Sequence, residues 1–140
     1  MTINSPLQID PKLTRVSVLL VEDDAFALRL AQSVLKQLGV ITIWVARDGA
    51  EALNVLRAEA GKIDLIISDW NMPKMSGLEL LKTVRAFRPD MPFIMLTGKT
   101  SPEFVLDAKD NGVNGYISKP FTPEQLYKRL IAVVKAMRQN

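Results

Sequence analysis

Four acids, a threonine and a lysine stand at the ends of apolar runs in this sequence. Glu22, Asp23 and Asp24 close "RVSVLLVEDD", and Asp69 closes "DLIISD" with Asn71 two residues on. Thr97 closes "PFIMLT", and Lys119 follows "GYIS". Carboxylates brought close together repel one another unless a proton or cation is shared among them. The chain has no histidine and no cysteine, which removes Ser-His-Asp catalysis, thiolate nucleophiles and most zinc sites. Oxygen ligands select a hard ion, so Mg²⁺ (or Mn²⁺) held by a few carboxylates, a carbonyl and waters is the expectation. Such an ion would neutralise the oxygens of a phosphoryl group arriving at Asp69. Thr97 can donate a hydrogen bond to that group, and Lys119 can pair with it as a point charge. Singly, each residue has a plainer role: Asp23 and Asp24 as helix caps, Asp69 as a loop acid, Lys119 as a surface lysine. Their joint placement favours the phosphoryl site.

The elements that must position these groups follow from hydrophobic period. "RVSVLLVED", "ITIWVA", residues 65–68, "PFIMLT" and "GYISK" are short, continuously apolar or β-branched runs, which suits strands buried on both faces. Helical spacing fills the intervals: Ala27, Leu30, Val34 and Leu38 before Gly39, then "DGAEALNVLRAEAG" ending at Gly61. Residues 77–87, "PEFVLDAKDNG" stopped by Gly112, and "TPEQLYKRLIAVVKAMRQ" complete the set, with Thr122 as N-cap and Pro123 at the first helical position. Five β-α units predict a parallel sheet with helices on both faces, and ligands then sit at the carboxyl ends of the strands. If strand 1 lies between strands 2 and 3, the acids, the hydroxyl and the amine converge. Strand 2 ends in Ala46-Arg47 and brings nothing comparable. Residues 1–14, with two prolines and no period, are expected to be a flexible extension.

At 140 residues, 48% hydrophobic and 24% charged, the chain is expected to form one globular domain. It shows no apolar run of membrane-spanning length and no secretory signal, so the expectation is cytoplasmic with no membrane partner. The net charge of +3 is carried after residue 121, by Lys128, Arg129, Lys135 and Arg138 against Glu124. One modestly basic terminal helix fits a solvated face better than a nucleic-acid footprint, so no direct DNA binding is expected.

"LLVEDD", "ISDWNMPKMSGLELLKTVRA", "IMLTGKT" and "GYISKPF" resemble, in order and spacing, the receiver domains of two-component response regulators, over roughly residues 14–138. The stretch around Asp69 is most similar to single-domain, CheY-like members. The resemblance implies a flavodoxin-like (βα)5 fold with strand order 2-1-3-4-5 and a receiver domain over 15–138. It implies that Asp69 accepts phosphate from the phosphohistidine of a sensor histidine kinase. Glu22, Asp23, Asp69 and the Asn71 backbone carbonyl would hold Mg²⁺, and Thr97 and Lys119 would bind the acyl phosphate. Tyr116 would be the switch aromatic; its plainer role is a half-packed strand residue. Departures are Glu22, which many receivers share although CheY itself has aspartate there, Ser76 where an acid is common, and Lys99, which with Asn71 flanks the path of a hydrolytic water.

Three functions compete. A stand-alone regulator would dock on a flagellar switch or another effector when phosphorylated, although "TSPEFVLDAKDNG" carries few of the lysines expected for motor docking. A phosphorelay intermediate or phosphate sink would exchange phosphate with a histidine phosphotransfer protein. An aspartate-nucleophile phosphatase usually carries a second aspartate two residues on, where this chain has Asn71. A non-enzymatic regulator, monomeric or weakly dimeric through its last two helices, is the favoured expectation. About two residues remain after the last helix, so no output module is expected.

Overall fold

Five short apolar runs become strands because segments of this kind are stable only when helices cover the sheet on both sides. The computed structural model describes residues 9–59, 61–98 and 102–138. Strands β1 (Ser17–Val21), β2 (Thr42–Ala46), β3 (Leu65–Asp69), β4 (Phe93–Thr97) and β5 (Gly115–Ser118) alternate with five helices. These are α1 (Ala25–Leu38), α2 (Gly49–Ala58), α3 (Gly77–Phe87), α4 (Pro102–Asp110) and α5 (Pro123–Arg138). All pairings are parallel, in the expected order β2-β1-β3-β4-β5.

Alternate strand residues feed two separate cores. Val18, Leu20, Leu65, Ile67, Ile94 and Leu96 pack with α1 and α5, through Leu28, Leu35, Leu126 and Leu130. Leu19, Val21, Ile66, Phe93 and Met95 pack with the opposite layer, through Leu53, Leu56, Leu80, Leu81 and Ala108. Every residue of β3 and of β4 is buried, so neither strand can shift register without exposing its whole apolar set. α4 is held differently: Ala108 is its one buried residue among those described.

Helix ends follow the expected cap chemistry, with local adjustments. The Asp24 carboxylate accepts the Ala27 N–H at 2.8 Å, so Asp24 rather than Asp23 caps α1. Ser76 and Glu79 form a reciprocal capping box on α3, and Thr122 and Gln125 do the same for α5. α2 stops at Ala58, short of Gly61. The face of α1 turned to the sheet runs through Leu28, Ala31, Leu35 and Leu38; Leu30, expected on that face, is 54% exposed.

Residues 10–14, expected as part of a loose extension, are docked on the domain; residues 1–8 lie outside the described part. Leu13, in a short 3-10 helix (Leu13–Arg15), is fully buried. The Asp10 N–H donates to the Leu38 carbonyl at 2.9 Å, and the Tyr127 hydroxyl of α5 donates to Asp10 Oδ2 at 2.7 Å. The Tyr127 hydrogen bond, then the Lys12 N–H, hold the Asp10 carboxyl below its ordinary 3.8, and the same bond holds the Tyr127 phenol above its ordinary 10.0. A depressed carboxyl contributes stability above its unfolded pKa and loses it as pH falls through the folded one. A raised phenol contributes below its unfolded pKa and loses it as pH rises. The contribution is therefore full between 3.8 and 10.0. Tyr127→Phe keeps the ring and should cost about 1 kcal/mol at neutral pH, since the bond is only partly buried. Urea unfolding should show that difference shrinking in strong acid.

Candidate functional site

The strand order reverses between β1 and β3, and open α/β sheets bind ligands in the crevice that such a reversal leaves at the strands' carboxyl ends. Glu22 and Asp23 leave β1 there, and Asp69 ends β3. One carboxylate oxygen from each lies within 4.8 Å of the others. Glu22 and Asp69 are 3% and 7% exposed, and Asp23 is half-buried. Lys119, one residue past β5, spans the gap. Its Nζ donates to Glu22 Oε1 at 2.8 Å and lies 3.1 Å from Asp69 Oδ1.

Burial and charge act in opposite senses on this pair. Desolvation raises the Glu22 carboxyl above its ordinary value, with the charge of Asp69 pushing the same way, although Lys119 and the Asp24 N–H pull it down. Burial alone would depress the Lys119 amine; the hydrogen bond to Glu22 and the charges of Asp69 and Glu22 outweigh it, so the amine is raised and stays protonated. Three carboxylates against one ammonium leave excess negative charge in a crevice of oxygen donors. That donor set fits a hard divalent cation.

The backbone under Asp69 is closely constrained. The Trp70 N–H is shared between Asp69 Oδ1 and the Leu96 carbonyl, both at 2.9 Å, and the buried Ser68 hydroxyl donates to the Asp69 carbonyl at 2.9 Å. The following loop turns at Pro73, and Lys74 takes a left-handed φ of 69°. It returns so closely that the Gly77 N–H donates to the Trp70 carbonyl at 2.7 Å. A Cβ on residue 77 would be driven into the Asp69 carbonyl oxygen, which is why glycine stands there.

The remaining expected residues are placed as follows. Asn71 opens the loop, with its side chain exposed. Thr97 is fully buried at the end of β4, one position past the residue paired with Asp69, and its carbonyl accepts the Lys119 N–H at 2.8 Å. Tyr116 is half-buried on β5, and its burial raises the phenol above 10.0. It packs against the core on the α2–α4 side, level with Ser68 and so one residue short of the strand ends that carry the acids. Lys99 lies outside the described residues. The structure therefore gathers Glu22, Asp23, Asp69 and Lys119 directly and sets Thr97 at the adjoining strand end.

Strand 2 brings no acid, hydroxyl or amine to the crevice, but Arg47, one residue past β2, reaches its edge: its Nη2 and Nε donate to the Asp23 carbonyl at 2.8 and 3.3 Å. No motif signals this contact, because it joins a side chain to a backbone oxygen two elements away.

A profile of the response regulator receiver domain matches residues 18–131. The chain belongs to the response regulator receiver family. This receiver is 38% identical over 117 residues to chemotaxis protein CheY-3 of Vibrio cholerae serotype O1, covering 82% of this chain and 88% of that one. It superposes on the structure of Vibrio cholerae CheY4 with a TM-score of 0.76 and 39% identity, over 84% of this chain and 98% of that chain. A complex of CheX and CheY with BeF3 and Mg²⁺ from Borrelia burgdorferi also matches this receiver. Its TM-score is 0.81 with 27% identity, over 84% of this chain and 88% of that one. Among the described residues no helix is long and apolar enough to cross a membrane.

Proposed function

We propose that this CheY-like receiver is a stand-alone response regulator that takes a phosphoryl group onto Asp69 and signals by docking to a protein effector. The observation that carries this is the Lys119 ammonium set 2.8 Å from Glu22 and 3.1 Å from Asp69 within the buried acidic cluster. An ammonium so placed is poised to donate to phosphoryl oxygens once they arrive beside Asp69. The donor is the phosphohistidine of a sensor histidine kinase or a histidine phosphotransfer protein. Asp69 attacks phosphorus, the P–N bond breaks, and the donor leaves as imidazole while the new P–O bond forms. Glu22, Asp23, Asp69 and the Asn71 backbone carbonyl would hold Mg²⁺, which would offset the charge of the transferring group. Lys119 pairs with one phosphoryl oxygen and the Thr97 hydroxyl donates to another.

Output follows as a population shift between two conformations biased by those new contacts, with Tyr116 changing its packing as Thr97 turns toward the phosphate. The docking face is the one around Tyr116, where β5, α4 and α5 form concavities bordered by Lys109, Lys128 and Arg129. Likeness to a chemotaxis protein supports a flagellar switch as the effector class. Asn71, where an acid/base would serve turnover, supports a regulator over a phosphatase. Lysate proteins retained by the Mg²⁺–beryllofluoride form should include an effector that Asp69→Asn does not retain. Recovery of kinases or histidine phosphotransfer proteins alone would favour a relay intermediate, and steady hydrolysis of a simple phosphomonoester would overturn the regulator.

A further inference from the structure

We infer that Arg47 is a positioning residue for the cation: its guanidinium holds the backbone of Asp23 so that the Asp23 carboxylate stays with Glu22 and Asp69. The inference rests on the metal-binding reading of that cluster. Three contacts fix the chain as it leaves β1. The Glu22 N–H donates to the Ala46 carbonyl at 3.0 Å, which extends the β1–β2 ladder by one residue. The Asp24 N–H donates to Glu22 Oε2 at 3.2 Å, while the Asp24 carboxylate is committed to the α1 cap. Between them, Asp23 is held through its carbonyl by the forked Arg47 guanidinium, at 2.8 and 3.3 Å.

Asp23 needs such a hold more than its partners do. Glu22 and Asp69 are enclosed by the fold, whereas Asp23 is half-buried and leaves the sheet on a loop. Two donors of one rigid plane fix the orientation of the carbonyl, and hence of the Cα–Cβ direction beside it, better than a single flexible donor would. The charge of Arg47 acts the other way, because a cation near the cluster disfavours a second one. That charge is exposed to solvent, where water and salt screen it, so the orienting effect is the larger. The two effects predict opposite signs on removal, which makes the inference decidable.

Calorimetric titration of Mg²⁺ into wild type, Arg47→Ala and Arg47→Lys, at fixed pH and salt, reads binding rather than turnover. Arg47→Ala should bind Mg²⁺ roughly ten-fold more weakly, the lower end of what loss of an orienting partner costs a metal site. Arg47→Lys, with the charge but not the fork, should fall between, and the metal-free melting temperature should be unchanged in both. Equal or tighter binding by Arg47→Ala, with wild type binding normally, would overturn the role of Arg47 and leave the metal site standing. Failure of wild type to bind Mg²⁺ would overturn both. Should Arg47→Ala lower the metal-free melting temperature, Arg47→Gln, neutral but still a donor, decides: wild-type-like melting with weakened Mg²⁺ binding supports positioning, and undiminished binding overturns it.

Discussion

Asp69→Asn should abolish uptake of phosphate from a phosphohistidine donor or a small acyl phosphate, by roughly a thousand-fold or more, because an amide oxygen is a far weaker nucleophile than a carboxylate. The change is nearly isosteric, and its effect on the fold should have the opposite sign. Asp69 raises the Glu22 carboxyl through charge, so the three acids repel in the absence of a cation. Removing one negative charge leaves Lys119 with Glu22 at 2.8 Å and relieves that repulsion. Metal-free Asp69→Asn should therefore melt no lower than wild type while taking up no phosphate, read by phosphate-affinity gels alongside thermal denaturation. Retained uptake would place the phosphoryl group on another residue. A large drop in melting temperature would mean that Asp69 is chiefly a structural partner of Lys119.

The largest loss of stability is expected from Gly77→Ala. A methyl group there would be driven into the Asp69 carbonyl oxygen and lie 2.9 Å from both Met95 Sδ and Trp70 Cα. Two of the three obstacles are backbone atoms of buried residues, and only the methionine can turn aside. Overpacking of this kind costs about 3 kcal/mol, with a fall in melting temperature of roughly 10 °C for a domain of this size. The same displacement moves the strand end that carries Asp69. Phosphate uptake at a temperature where the variant is still folded should therefore slow as well. A variant as stable as wild type would show that the loop is free to move away from β3, against the 2.7 Å bond from the Gly77 N–H to the Trp70 carbonyl.

What was legible beforehand depended on whether the signal was local. Continuous apolar runs separated by capped helical patterns placed all five strands and five helices. Strand ends could be inspected directly for acids, which is how Glu22, Asp23 and Asp69 were found. The face of α1 was only half legible. Val34 and Leu38 belong to two overlapping stripes, and choosing Leu28 and Leu35 over Leu30 requires knowing how the helix lies on β1 and β3. The docking of Asp10 and Leu13 was not legible, because a six-residue segment has no period and its partner Tyr127 lies 117 positions away. The role of Arg47 has no sequence signal, because its contact is with the main chain of Asp23 and not with a ligand.

The single buried alanine of α4 has a bearing on how the molecule can change shape. Elsewhere each helix is locked by several enclosed apolar side chains, and displacing one would open a cavity in a core that spans the sheet. α4 rests on Ala108 and on partly covered groups such as Phe104, whose ring meets Trp70 edge-on at 5.2 Å. Regions with few enclosed contacts open at a small fraction of the global free energy. The domain is thus mechanically uneven, rigid where chemistry must be aimed and compliant in one panel beside it. That panel meets, through the Phe104 ring, Trp70, the residue next to Asp69. A small shift at the Asp69 end of β3 has a soft neighbour into which it can relax.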